Sequence, residues 1–150
     1  MAKFKIGDEW WTTPAEGENG KVIMVTGRRL GEDVIASGKY NDRVEVTWKY
    51  DAMPNGLPDD ATAKLMEQVD SALKDAFSGD RTIAIITGIY TGNGERNWVF
   101  YSSSLPIFEK IFNRALSSFE LLPLSLYVEK DPEWNEYGEM KSQTEIMDGE

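Results

Sequence analysis

Apolar and polar residues alternate along DRVEVTWKY, residues 42–50, where Val44, Val46, Trp48 and Tyr50 are separated by Arg43, Glu45, Thr47 and Lys49. A period of two predicts a strand with one buried face. Upstream, residues 9–13 and 21–27 (KVIMVTG) read as two strands around the turn-rich PAEGENG, an N-terminal hairpin. After NGLPDD the period changes. Leu65, Val69, Ala72, Leu73, Ala76 and Phe77 recur at helical spacing, Asp59 or Asp60 can cap the first turn, and Gly79 ends the run. RTIAIITGIYT, residues 81–91, is a strand apolar on both faces; GNGE is a hairpin turn, and RNWVFYS, residues 96–102, is the returning strand. Ser103 or Ser104 caps a second helix, with Pro106 in its first turn and an apolar stripe of Phe108, Ile111, Phe112, Ala115, Leu116 and Phe119. LSLYVE, residues 124–129, alternates again as the final strand.

From residue 42 the order is strand, helix, strand, strand, helix, strand. That is the split βαβ, ferredoxin-like order (βαββαβ), here with an N-terminal β-hairpin extension. The fold class expected is α+β, an antiparallel sheet with two helices on one face. The other face must then be solvated, bind something, or be covered, and the hairpin and the DPEWNEY segment (residues 131–137) are the available covers. No repeat, low-complexity tract or linker divides the chain. Residues 1–140 form a single domain in this reading, and 141–150 a polar acidic tail.

Composition removes whole classes of chemistry. The 150 residues contain no cysteine and no histidine, so thiol nucleophiles, disulfides, thiolate metal sites and the commonest general base are excluded. No metal and no cofactor is called for. The formal net charge is −10, which disfavours nucleic acid as a partner, because phosphate binding rests on Lys and Arg. From Glu129 to Glu150 there are eight acids and two bases, a balance of −6 and more than half of the excess. Such a tail is a solvated surface or a patch that meets a basic partner. The N-terminus has no apolar core of signal-peptide length and no run reaches a membrane span, so the expected location is cytoplasmic.

Several stretches carry candidate chemistry. In DPEWNEY, Asp131 is a good helix N-cap, Pro132 suits the first helical position, and Glu133 complements the helix dipole. Trp134 and Tyr137 then share one face of a short helix, a lid that lays two aromatics on the sheet. The functional alternative is a carboxylate pair, Asp131 with Glu133 or Glu136, doing acid–base work or holding a hard cation. Arg96, Trp98 and Phe100 match the basic and aromatic positions of an RNA-recognition strand; the signature glycines are absent and the charge has the wrong sign. GNGER, residues 92–96, joins two strands and lacks the continuation of a phosphate loop. Arg28 and Arg29, followed by a polar loop containing Gly31 and Gly38, make a small basic spot able to grip a carboxylate or phosphate.

GLPDD before the first long helix, GNGERNWVFY at the hairpin, and above all the Asp-Pro-x-Trp-x-x-Tyr run at residues 131–137 together resemble a bacterial family, the domain of unknown function 695. The resemblance runs from about Trp10 to Met140. That family is similar in turn to the regulator of ribonuclease E activity B, a small acidic protein that inhibits a ribonuclease by binding it. The resemblance implies the sheet-and-helix plan and supplies no catalytic residues. Such domains tend to continue past the tyrosine with a Leu-Tyr-Pro-like ending, whereas here Met140 is followed by Lys141 and Ser142.

The expected function is a non-enzymatic binding or regulatory module, a monomer or weak homodimer. It would recognise another protein, such as a basic nucleic-acid enzyme, through acidic and aromatic surface, with Asp131, Glu133, Trp134, Tyr137, Arg96 and Trp98 as binding residues. One alternative is a hydrolase or small-molecule binder using Asp131, Glu133 and Arg96 in a cleft beside the final strand. The other is RNA stacking on Trp98 and Phe100.

Overall fold

The computed structural model describes residues 9–16, 20–78 and 82–144. Its strands are β1 (Glu9–Glu16), β2 (Val22–Arg29), β3 (Asp42–Lys49), β4 (Ala84–Gly92), β5 (Glu95–Ser102) and β6 (Leu124–Lys130). Its helices are α1 (Glu32–Ala36), α2 (Asp60–Ala76), α3 (Leu105–Ala115) and α4 (Asn135–Thr144). The six strands form one sheet in the order β1-β2-β4-β5-β3-β6, with every neighbouring pair antiparallel. Within it, β4-β5-β3-β6 is the ferredoxin-like core: β3 and β4 run parallel on either side of β5, joined by the crossover through α2.

Local chemistry sets the boundaries. Asp59 caps α2 by accepting the Thr62 N–H at 2.8 Å, and Ser104 caps α3 by accepting that of Ile107 at 3.4 Å. Gly79, the expected helix stop, lies outside the described residues; the helix cap is Phe77. Asn93 and Gly94 turn the β4–β5 hairpin with φ of 52° and 81°, the left-handed pair that matches strand twist.

Alternation decides the faces. Val44, Val46 and Trp48 of β3 share a face with Trp98 and Phe100 of β5, and Met66, Val69 and Leu73 of α2 and Phe108 and Phe112 of α3 close over them. Phe77, Phe100 and Phe108 meet with ring centroids 4.9–5.1 Å apart. Each such buried side chain stabilises the fold by roughly 1.5–3 kcal/mol. In β4 the register slips between Ile86 and Gly88. The bulge returns Ile89 to the helix-covered core and sends Tyr90 to the opposite face, which strict alternation from Ala84 would not do.

The second face has its own core of Trp11, Val25, Leu30, Val34, Tyr40, Ile85, Val99, Tyr101, Trp134, Tyr137 and Met140. The N-terminal hairpin does not lie across this face as a cover. It extends the sheet in plane, β2 pairing with β4 from Met24↔Thr91 to Gly27↔Gly88. The covers are α4 and α1, the latter formed by residues read from sequence as a polar loop. α4 also continues through Lys141–Thr144, into the stretch assigned to the tail.

Candidate binding face beside the C-terminal helix

The DPEWNEY segment lays its two aromatics on the sheet, by a different local route from the expected one. The helix begins only at Asn135, and residues 131–134 form a turn in which Trp134 adopts φ of +57°. Asp131 acts from outside the helix: its carboxylate accepts the N–H groups of Asn135 at 2.9 Å and Glu136 at 3.0 Å, two donors of the first turn that would otherwise be orphaned. Left-handed backbone is strained for a bulky residue, and here three contacts over-determine it. The Trp134 indole stacks on Tyr101 with centroids 4.2 Å apart, its Nε1 donates to the Tyr40 carbonyl at 2.8 Å, and Tyr137 meets its edge at 5.5 Å.

Tyr137 ties the helix to β2. Its hydroxyl donates to the Arg28 carbonyl at 2.7 Å and accepts the Leu30 N–H at 3.1 Å. Tyr101 donates to Asp131 Oδ2 at 2.6 Å. Burial works to raise the Asp131 pKa, but the Tyr101 hydroxyl, the Glu136 and Asn135 amides and nearby Arg43 outweigh it and leave it below the usual carboxylate value. Asp131 is only 6% exposed, with its oxygens committed to these donors, whereas Glu133 is exposed. Neither arrangement is that of a cleft acid–base pair.

α4 covers only part of the second face, and the strip beside it opens toward β6, where Ser125 and Tyr127 are exposed. Across the sheet the rows there read Glu129–Arg43–Tyr101, Tyr127–Glu45–Val99 and Ser125–Thr47–Asn97. Arg43 is 8% exposed. Its Nη1 pairs with Glu45 Oε2 at 3.1 Å and with Glu129 Oε1 at 3.4 Å, and its buried Nε has no hydrogen-bond partner. Desolvation pulls the guanidinium pKa down, yet Glu45, Tyr101 and Glu129 together hold it above its ordinary value. Beside it, burial pushes the Tyr90 phenol up to about 12, with Glu136 and Glu45 adding to the effect and Arg43 opposing it. Tyr90 is therefore a neutral hydrogen-bonding group at physiological pH.

Between this strip and α4 lies a groove of about 280 Å³. Ile23, Val25 and Met140 give it an apolar floor, Arg43 and Tyr90 stand at its side, and Glu136 and Glu139 line it from α4. Both glutamates are exposed. Among the described residues, no group of three or more acidic side chains is placed to hold a metal ion.

Arg96 and Trp98 are elsewhere. They lie on the helix-covered face under α2, where Asp70 accepts the Arg96 guanidinium at 2.5 Å and the Trp98 indole N–H at 2.6 Å. Trp98 and Phe100 have no exposed surface. Bases cannot stack on them without removing α2, so the aromatic strand does not form an RNA platform. Arg96 also stands on the opposite face from Asp131 and Glu133, so these three do not assemble into one cleft. Arg28 and Arg29 lie over the rings of Trp10 and Trp11, 5.4 and 5.7 Å from their centroids. Of the groove residues, Glu136 is a sequence candidate as a partner for Asp131, whereas Ile23, Arg43, Tyr90 and Glu139 carry no motif. Their available signal was the unexplained Arg–Glu alternation at residues 43 and 45 on the strand's polar face.

No helix among the described residues is long and apolar enough to cross a membrane. Residues 9–140 match the model of a family described as "Family of unknown function (DUF695)". No curated protein and no solved structure matches the chain.

Proposed function

The chain belongs to the family of unknown function DUF695, and from that footing we propose that it is a non-enzymatic binding module. It recognises another protein through the groove between α4 and the open strip of the sheet. The observation that carries this reading is an apolar floor of Ile23, Val25 and Met140 bordered by exposed Glu136 and Glu139, on a chain of net charge −10. Such a groove accepts one apolar or aromatic anchor side chain, and its acidic border selects Lys or Arg beside that anchor. A cytoplasmic nucleic-acid enzyme with a basic surface has the matching chemistry.

The test is affinity capture from a cell extract with the wild type and with the double variant Glu136→Lys, Glu139→Lys, at low and moderate salt. Both side chains are exposed, so circular dichroism should be unchanged and melting should fall only slightly, because Glu136 lies in the first turn of α4. The expected result is a stoichiometric basic partner, weakened by salt and lost with the double variant. A partner held equally by both forms overturns the reading. So does turnover of a small molecule that disappears when one groove side chain is changed.

A further inference from the structure

We propose that β6 is the seat of an isologous dimer, in which two copies pair their β6 strands antiparallel and continue one sheet across both. Among the described residues β6 is a sheet edge, and natural edges are normally blunted by proline, bulges or charged side chains, lysine above all. The opposite edge is blunted in this way, since β1 carries Pro14, which has no N–H to donate. β6 pairs with β3 without a register slip from Leu124 to Lys130 and contains no proline. Its lysine, Lys130, stands at the last position of the strand, where its side chain stays 77% exposed while Nζ contacts Asp42 Oδ1 at 2.5 Å, and the central positions carry no charge.

The exposed side chains point to what covers this edge. Leu126, Tyr127 and Val128 are 46%, 58% and 43% exposed, although three consecutive large apolar residues on a short strand are ordinarily buried. Leu126 and Val128 lie on the helix-covered side, and Tyr127 on the other. A two-fold axis through Tyr127 aligns all seven residues of β6 with their mates. Leu126 then faces Val128 of the second copy, Val128 faces Leu126, Tyr127 meets Tyr127, Ser125 meets Glu129, and Leu124 meets Lys130. Apolar faces apolar at the centre and no like charges are opposed, the self-complementarity an isologous interface requires. An unrelated strand would have no reason to find that register already written in β6.

Two chains of net charge −10 repel, so added salt tightens this dimer. Salt acts in the opposite sense on the basic partner proposed for the groove, which keeps the two readings separable. Sedimentation of the full chain across concentration and salt is the first measurement, with Val128→Lys as the disrupting variant. Because the chain has no cysteine, Tyr127→Cys gives a single thiol. Facing residues of an antiparallel pair have Cα atoms about 4.5–5.5 Å apart, within disulfide reach.

The expected results are a dimer favoured by concentration and salt, a monomer of unchanged circular dichroism for Val128→Lys, and ready oxidation of Tyr127→Cys to a disulfide dimer. Glu129→Cys, off the axis, should cross-link at least tenfold more slowly. A monomer at every concentration and salt overturns the proposal, as does equal cross-linking at both positions. A dimer that survives Val128→Lys likewise overturns it.

Discussion

The Tyr101 hydroxyl donates to Asp131 Oδ2 at 2.6 Å and accepts the backbone N–H of Tyr137 at 3.3 Å, so one side chain of the central sheet holds both the turn before α4 and its first helical turn. Burial first, then the Asp131 carboxylate, pushes the Tyr101 phenol well above its ordinary range, and the donor keeps its proton at any physiological pH. Tyr101→Phe should cost about 1.5–3 kcal/mol, the range for a hydrogen bond to a charged group. Urea unfolding with an unchanged m-value checks it.

The same pair sets an acid limit. Burial works to raise the Asp131 pKa, but the Tyr101 hydroxyl and the Glu136 and Asn135 amides outweigh burial and hold the carboxyl below its ordinary value in the folded chain. A depressed carboxylate contributes stability that is fully present above the unfolded pKa and lost as pH falls through the folded one. Stability should therefore decline below about pH 4, and Asp131→Asn should flatten that decline while lowering stability at neutral pH. Equal acid slopes in the two proteins would remove Asp131 from the account.

Much of this lock was legible in the sequence, and the part that was not has physical causes. Trp134 and Tyr137 three apart gave the aromatic face; nothing local announced that Trp134 would be left-handed, because contacts with Tyr40 and Tyr101, distant in sequence, hold it so. The five residues of α1 read as loop in sequence, because a helix this short shows no periodicity and buries a single side chain, Val34. The hairpin was legible as strands, whereas its in-plane docking on β4 is a tertiary choice. Trp98 reads as a binding residue in sequence, because alternation separates the two faces of a strand without saying which one a helix will cover.

Gly27 illustrates a close approach. It pairs with Trp11 across β1 and β2, and a Cβ there would come within 2.2 Å of the indole. Gly27→Ala should push Trp11 out of the second core and cost about 1–3 kcal/mol as overpacking. A tryptophan emission shift to the red should accompany the loss. A neutral substitution with unchanged fluorescence would mean that the hairpin can slide to make room.

Asp70 decides whether Arg96 and Trp98 are structural. The Asp70 and Arg96 side chains are each 16% exposed, and Arg96 also donates to Thr91 at 2.7 Å while its buried Nε lacks a partner. Removing the carboxylate strands a nearly buried guanidinium and an indole N–H, so Asp70→Ala should cost about 3–5 kcal/mol, the range for breaking a buried pair from one side. Replacing both partners should cost much less, since no charge is then left behind. A cycle of Asp70→Ala, Arg96→Met and the double variant should show coupling of about 0.5–3 kcal/mol between these contacting residues. Additive costs, or an Arg96→Met variant that keeps full stability yet loses a partner, would make Arg96 a binding residue.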